Sequence, residues 1–286
     1  MSLIIGTDPE FFVCDKDGVI LPPVWFKKKG ILFPLIEDPE HKHPVYFING
    51  DIKIIQDGAA FEVNATPSRN PEQFYQKMKL AKDTLSEFAD KTGNQVIIKS
   101  AVKFNPKLFN KSHRKDEEVR QCFITGCDPD KDAFDASFEA YEFDIEKLEH
   151  RFGGGHLHLS GHPTFGQYPL PAIKLLAITC GNYYVANSKM IEEDRIRASY
   201  FGSAGKYRPQ KYPDGTLGIE YRSLPNYWTV NPDMIESIFG WAEKTAAYLD
   251  DHRMGYELIQ TFSEKTRLNM KEIDIDGAKN ILAALP

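Results

Sequence analysis

Four short stretches of this chain carry two polar residues spaced two apart in an apolar setting, as a half-buried β-strand does, and His156-Leu157-His158-Leu159 alternates outright with a period of two. They are 6–13 (Gly-Thr-Asp-Pro-Glu-Phe-Phe-Val), 59–65 (Ala-Ala-Phe-Glu-Val-Asn-Ala), 155–160 (Gly-His-Leu-His-Leu-Ser) and 218–224 (Gly-Ile-Glu-Tyr-Arg-Ser-Leu). In each, two polar residues stand at i and i+2: Asp8 and Glu10, Glu62 and Asn64, His156 and His158, Glu220 and Arg222. That spacing puts both members of a pair on one face and their apolar neighbours on the other. A lone His-x-His is as readily a solvated face as a site. Four such pairs are another matter, because strand faces in plain water usually carry Lys, Thr and Ser.

The remaining pattern alternates strands with helices. The first strand, over 2–14, is interrupted at Pro9, which a central strand does not tolerate, so the chain bulges or ends there. Residues 22–44, rich in Pro, Lys and His, read as a loop, and His41 and His43 within it as solvated. A hairpin over 46–55 turns at Asn49-Gly50. Asn70-Pro71-Glu72-Gln73 opens a helix that ends near Gly93, and 95–102 is a further strand. Residues 104–150 show no sustained period, and Asp128-Pro129-Asp130 within them reads as a turn. Pro171 opens a second helix, Asn231-Pro232-Asp233 caps a third running to about 249, and a last one follows Asp276. Strands interspersed with helices, several of them hairpin-linked, predict an α+β fold with a mainly antiparallel sheet.

The chain has 286 residues, of which 42% are hydrophobic and 12% aromatic, enough for a sizeable core in one catalytic domain over 1–286. Its net charge of −6 argues against a general nucleic-acid surface. Four scattered cysteines, Cys14, Cys122, Cys127 and Cys180, lack zinc or redox spacing and read as buried thiols in a reducing cytoplasm. The N-terminus lacks the basic and long apolar parts of a signal peptide, and no stretch is apolar enough to predict a membrane span.

If the four strands share one sheet and the polar pairs one face, Asp8, Glu10, Glu62, His156 and Glu220 form a set of oxygen and nitrogen donors. Such a set suits Mg²⁺, or Mn²⁺ given the imidazole, better than a zinc cage. His158 and Arg222 are then left for phosphate oxygens. A loop of Gly202-Ser203-Ala204-Gly205 between Arg195, Arg197, Lys206 and Arg208 is chemically suited to phosphate. It is not a Walker A loop, and on its own a surface loop is its simpler reading. Carboxylates for metals and arginines for phosphate are what phosphoryl transfer from Mg·ATP requires, and the residues by themselves lead no further.

These motifs resemble the carboxylate–amine ligase superfamily of glutamine synthetase and glutamate–cysteine ligase, and within it the phage-encoded carboxylate–amine ligase family, type 2. Gly-Gly-Gly-His156-Leu-His158-Leu-Ser160 is similar to the Gly-x-x-His-x-His-x-Ser strand of glutamine synthetase, and Glu220-Tyr-Arg222 to its Glu-x-Arg strand. Asp8-Pro-Glu10 stands where the family has a Glu-x-Glu metal pair. Asp57-Gly-Ala-Ala-Phe-Glu62-Val-Asn64 resembles the next motif of the phage family, and Gly126-Cys127-Asp128-Pro129-Asp130 a further family feature without a mechanistic role. Asp8 is one methylene shorter than the usual glutamate, and Arg195, Arg197 and Arg208 match the phosphate arginines only loosely.

The resemblance implies a curved sheet backed by helices and ATP-dependent amide formation through an acyl phosphate with two or more Mg²⁺. Asp8, Glu10, Glu62, His156 and Glu220 would bind metal. His158, Arg222 and the basic residues of 195–208 would bind phosphates, and Asp57 would position or deprotonate the amine. Small-molecule or peptide substrates and a cytoplasmic site, in a host if phage-encoded, complete the expectation. An ATP-dependent kinase on the same scaffold, a non-catalytic phage-associated binding protein and a metal-dependent hydrolase remain alternatives. The acid, the amine and the oligomeric state are not legible.

Overall fold

A computed structural model describes residues 3–31, 45–108, 116–123, 130–135, 138–139, 148–212 and 215–286. His41, His43 and the 126–129 stretch lie outside them.

The strands among the described residues are β1 Ile4–Gly6, β2 Glu10–Cys14, β3 Val45–Phe47, β4 Ile52–Asp57, β5 Ala60–Ala65, β6 Gln95–Ile97, β7 Ala101–Lys103, β8 Asp130–Asp132, β9 Phe138–Glu139, β10 His150–Phe152, β11 Leu157–Ser160, β12 Lys206–Lys211 and β13 Leu217–Tyr221. They form a six-stranded sheet ordered β1-β11-β13-β12-β8-β9, a five-stranded sheet ordered β3-β4-β5-β2-β6, and the pair β10-β7. Every named pairing is antiparallel. The fold is α+β, with mainly antiparallel sheets backed by helices.

The four polar strands do not share one sheet. Pro9 is where the chain crosses over: β1 pairs with β11 in the larger sheet, and β2 pairs with β5 in the smaller one. Proline has no N–H to give a continuous ladder, so the first strand divides there. The 95–102 strand divides in the same way, β6 joining β2 and β7 joining β10. Within 22–44, Pro23–Lys28 is a short helix rather than loop, with Pro23, Val24 and Phe26 buried. Proline at the first helical position and two buried apolar side chains outweigh the lysines that suggested a loop.

The helices cover the apolar faces. Pro71–Lys91 starts at Asn70, whose side chain accepts from the amides of Glu72 and Gln73, and it buries Phe74, Met78, Ala81, Leu85 and Ala89 between the smaller sheet and neighbouring helices, with Phe74 stacked on Trp228. Pro163–Gln167 and Pro169–Leu176 pack on the larger sheet, and Pro232–Asp250 packs against those helices. Leu157 and Leu159 on β11 and Ile219 and Tyr221 on β13 are buried against that helical layer. Each such aliphatic side chain contributes about 1.5–3 kcal/mol of transfer free energy, so a one-residue slip that exposed them is strongly disfavoured. Burying this face commits His158, Glu220 and Arg222 to the other. No helix among the described residues is long and apolar enough to cross a membrane.

Candidate active site

Cross-strand register assembles the polar face. Gly6 stands opposite His158, His158 opposite Glu220, and Glu220 opposite Arg208. Asp8 follows β1 and His156 precedes β11, so they lie one step further along the same face. His156 Nδ1 is 3.0 Å from Asp8 Oδ1 and 3.2 Å from Glu220 Oε1. His158 Nε2 is 3.3 Å from Asp8 Oδ2. Ligand-capable atoms of Asp8, His156, His158 and Glu220 all lie within 4.8 Å of one another. Arg222 Nη1 donates to Glu220 Oε1 and stands 3.3 Å from His156 Nδ1.

The smaller sheet brings a second carboxylate group. Glu10 pairs with Glu62 across β2 and β5. Glu10 Oε2 accepts from the Gly154 amide at 2.6 Å, and Glu62 Oε1 accepts from Asn64 Nδ2 at 2.6 Å. Asp57 ends β4, facing Ala60, and its charge reaches both glutamates.

Electrostatics separate the two groups. Burial would raise the Asp8 pKa, but His156 and His158 overcome it and hold the carboxyl well below its usual range. Burial would likewise raise Glu220, yet His156 brings it down to about 2. Burial would lower His156, but Asp8, with help from Glu220, raises it to about 9. Burial and the neighbouring Asp57 push Glu10 up to about 7. Burial, then Asp8, Asp57 and Glu10, raise Glu62 well above the usual value.

The residues fit a divalent cation. Asp8 Oδ1 and His158 Nε2 are buried and turned into the cluster, 3.0 Å from His156 Nδ1 and 3.3 Å from Asp8 Oδ2. Carboxylates can only accept and a neutral imidazole nitrogen can ligate, so a cation satisfies both. His158 is as near the cluster as His156, so geometry alone does not reserve it for phosphate.

The chain matches no family model and no curated protein. Solved structures do match. GmaS without ligand covers 99% of this chain and 68% of its own, at 14% identity and a TM-score of 0.42. A GmaS/ADP complex covers 99% and 67%, at 13% identity and a TM-score of 0.38. At that distance the likeness carries no assignment of activity.

The basic residues divide by position. Arg208 lies on the site face opposite Glu220. Lys206 is buried with Nζ 3.4 Å from Asp132 Oδ2. Arg195 is exposed and donates from Nε to the Glu272 carbonyl, at the end of the His252–Glu272 helix. Arg197 is buried, and its guanidinium donates to the carbonyls of Arg222, Ser223 and Leu224 at 3.3, 2.9 and 3.4 Å. Gly202, at φ +71°, packs on that guanidinium, where a Cβ would come within 1.9 Å of Nη1. The Gly-Ser loop is thus seated on Arg197.

Three contributors escaped the sequence. Gln210 and Tyr212 continue the period-two row Lys206, Arg208 along β12. Gln210 Nε2 donates to Glu220 Oε2 at 2.5 Å. The Tyr212 phenol is pushed up to about 12 by burial and the charges of Glu220 and Asp8. Asn226 Nδ2 donates to the carbonyls of Glu10 at 2.6 Å and Lys99 at 3.2 Å. Extending the alternation past Arg208 finds the first two, but no sequence signal marks Asn226. The glycine run before β11 packs closely on this segment: a Cβ on Gly153 would lie 2.3 Å from Asn226 Nδ2, and one on Gly155 2.8 Å from Asn226 Cα.

Proposed function

We propose that this chain is an ATP-dependent carboxylate–amine ligase working through an acyl phosphate. The supporting observation is the convergence of Asp8, His156, His158 and Glu220 within 4.8 Å, with Arg222 against Glu220. Asp8, His156 and Glu220 would hold one Mg²⁺ or Mn²⁺, and Glu10 and Glu62 a second, with His158 beside the first or at a phosphate oxygen. When bound, such cations neutralise nucleotide phosphates and the charge of phosphoryl transfer.

The chain's own groups supply the rest. Arg222 and Arg208 hold phosphoryl oxygens as the substrate carboxylate attacks the γ-phosphorus and ADP leaves. Asp57 takes a proton from the amine as it attacks the acyl carbon and the acyl C–O bond to phosphate breaks. Arg197, engaged with the 222–224 carbonyls, and Lys206, beside Asp132, support this machinery rather than meeting the phosphates. The chain acts as a single catalytic unit on small-molecule or peptide substrates.

Two measurements test the reading. Thermal melting with Mg²⁺ and a non-hydrolysable ATP analogue should rise in wild type by the equivalent of about 2.7 kcal/mol at a hundredfold excess over Kd, and not in Glu220→Gln. Hydroxylamine should then trap a hydroxamate from an acid panel with release of ADP. Metal-dependent ATP turnover giving a stable phosphorylated product and no hydroxamate would identify a kinase instead.

A further inference from the structure

Glu220 is the residue on which the cluster closes, and its two carboxylate oxygens face different surroundings. Oε1 is engaged by Arg222 Nη1 and lies 3.2 Å from His156 Nδ1. Oε2 accepts from Gln210 Nε2 at 2.5 Å. Gln210 does not stand opposite Glu220 on the neighbouring strand; its register partner is Gly218. Its side chain therefore runs diagonally across the sheet, a reach that cross-strand geometry allows for long side chains. Gly218 itself is closely surrounded: a Cβ there would lie 2.4 Å from the Leu159 carbonyl oxygen and 2.7 Å from Tyr212 Cε2.

The chemistry of this contact is specific. A carboxylate only accepts, so the amide must present its NH₂ group. That donor fixes the carboxylate plane without adding charge. Arg222 and His156 meet Glu220 as cationic or potentially cationic groups, so a bound cation competes with them for Oε1. Gln210 has no such conflict and can keep its bond in both states. Outer partners of this kind orient metal-ligating carboxylates, and their loss typically costs about 10–100-fold in metal affinity.

We propose that Gln210 is the positioning residue of Glu220: a neutral donor that aims the carboxylate at a divalent cation while preserving its charge. The inference rests on the cation reading of the Asp8, His156, His158 and Glu220 cluster.

The test is Mn²⁺ affinity of the purified protein, measured by electron paramagnetic resonance of the free ion, alongside the melting temperature without metal. Gln210→Leu, close in size and without a donor, should bind Mn²⁺ about 10–100-fold more weakly than wild type. Gln210→Lys restores a donor but neutralises Glu220, so it should bind at least as weakly as Gln210→Leu while its metal-free melting temperature does not fall. Wild-type affinity in Gln210→Leu overturns the proposal, and so does recovery of wild-type affinity in Gln210→Lys, since a purely structural contact would be rescued by lysine. Absence of Mn²⁺ binding in wild type would instead remove the cation reading, and this inference with it.

Discussion

Glu10 and Gly154 are joined in both directions: the Glu10 amide donates to the Gly154 carbonyl at 3.0 Å, and the Gly154 amide donates to Glu10 Oε2 at 2.6 Å. This reciprocal pair ties the start of β2 in the smaller sheet to the glycine run leading into β11 in the larger one. It brings the carboxylates of one sheet to the imidazoles of the other.

Gly154→Ala should therefore damage the site more than the fold. A Cβ at Gly154 would lie 2.7 Å from His156 Nε2, so the imidazole must shift from its present position against Asp8 and Glu220. The expected result is a loss of about 1–3 kcal/mol in stability and a smaller Mg²⁺-dependent rise in melting temperature than in wild type. Parallel melts with EDTA and with Mg²⁺ measure both.

Metal-free protein should lose stability as pH rises. Glu10 at about 7, Glu62 raised well above its usual value and His156 at about 9 all have native pKa values above their unfolded ones. Each favours folding below its unfolded pKa, and that contribution is lost as pH rises through the native value. Between about pH 5 and pH 9 the native state thus binds more protons than the unfolded chain, and each such proton lowers stability by up to about 1.4 kcal/mol per pH unit. Asp8 and Glu220 have the opposite sign, but act only below the unfolded carboxylate pKa. Saturating Mg²⁺ displaces these protons, so its stabilisation should grow with pH. Denaturant melts in EDTA and in Mg²⁺ across this range would show a flat difference if the assignment is wrong.

Arg197→Lys should act through Arg222. Lysine cannot reproduce a planar fork on three carbonyls, and the change should cost about 2–5 kcal/mol. If Arg197 only positions the 222–224 segment, binding of the ATP analogue should fall in Arg197→Lys, yet the double variant with Arg222→Gln should bind no worse than Arg222→Gln alone. Additive losses would mean that Arg197 touches the phosphates itself.

Cys14 and Cys180 should be unreactive in the native protein. Burial pushes both thiols up to about 12, which leaves almost no thiolate near pH 8, where about a quarter of ordinary thiols are ionised. Ellman's reagent should modify them only after unfolding. Rapid labelling of either in folded protein, identified by peptide mapping, would contradict their burial.

The sequence by itself determined several helix starts and, within a strand, the face each polar residue takes, but neither the helix at Pro23–Lys28 nor the division of the 2–14 and 95–102 strands. A period of two requires that if Leu157 and Leu159 enter the core, His156 and His158 cannot, and the same holds for Glu220 and Arg222 about Tyr221. Asn70, Pro71 and Pro232 marked helix starts through local capping chemistry that needs no tertiary context. Pro9 announced a break. Only the tertiary structure decided what lay across it: two sheets, with Asp8 in the group of one and Glu10 in that of the other. It also decided which basic residues face the site, because Arg197 turns to backbone carbonyls on segments far along the chain while Arg208 stays beside Glu220. Gln210 and Asn226 gained their parts in the same way. Periodicity and capping are properties of neighbouring residues, so they are written locally. Register between strands and the hydrogen-bond partner of a buried side chain depend on segments up to 216 residues apart, as in the Asn226–Glu10 contact, and exist only once the chain is packed.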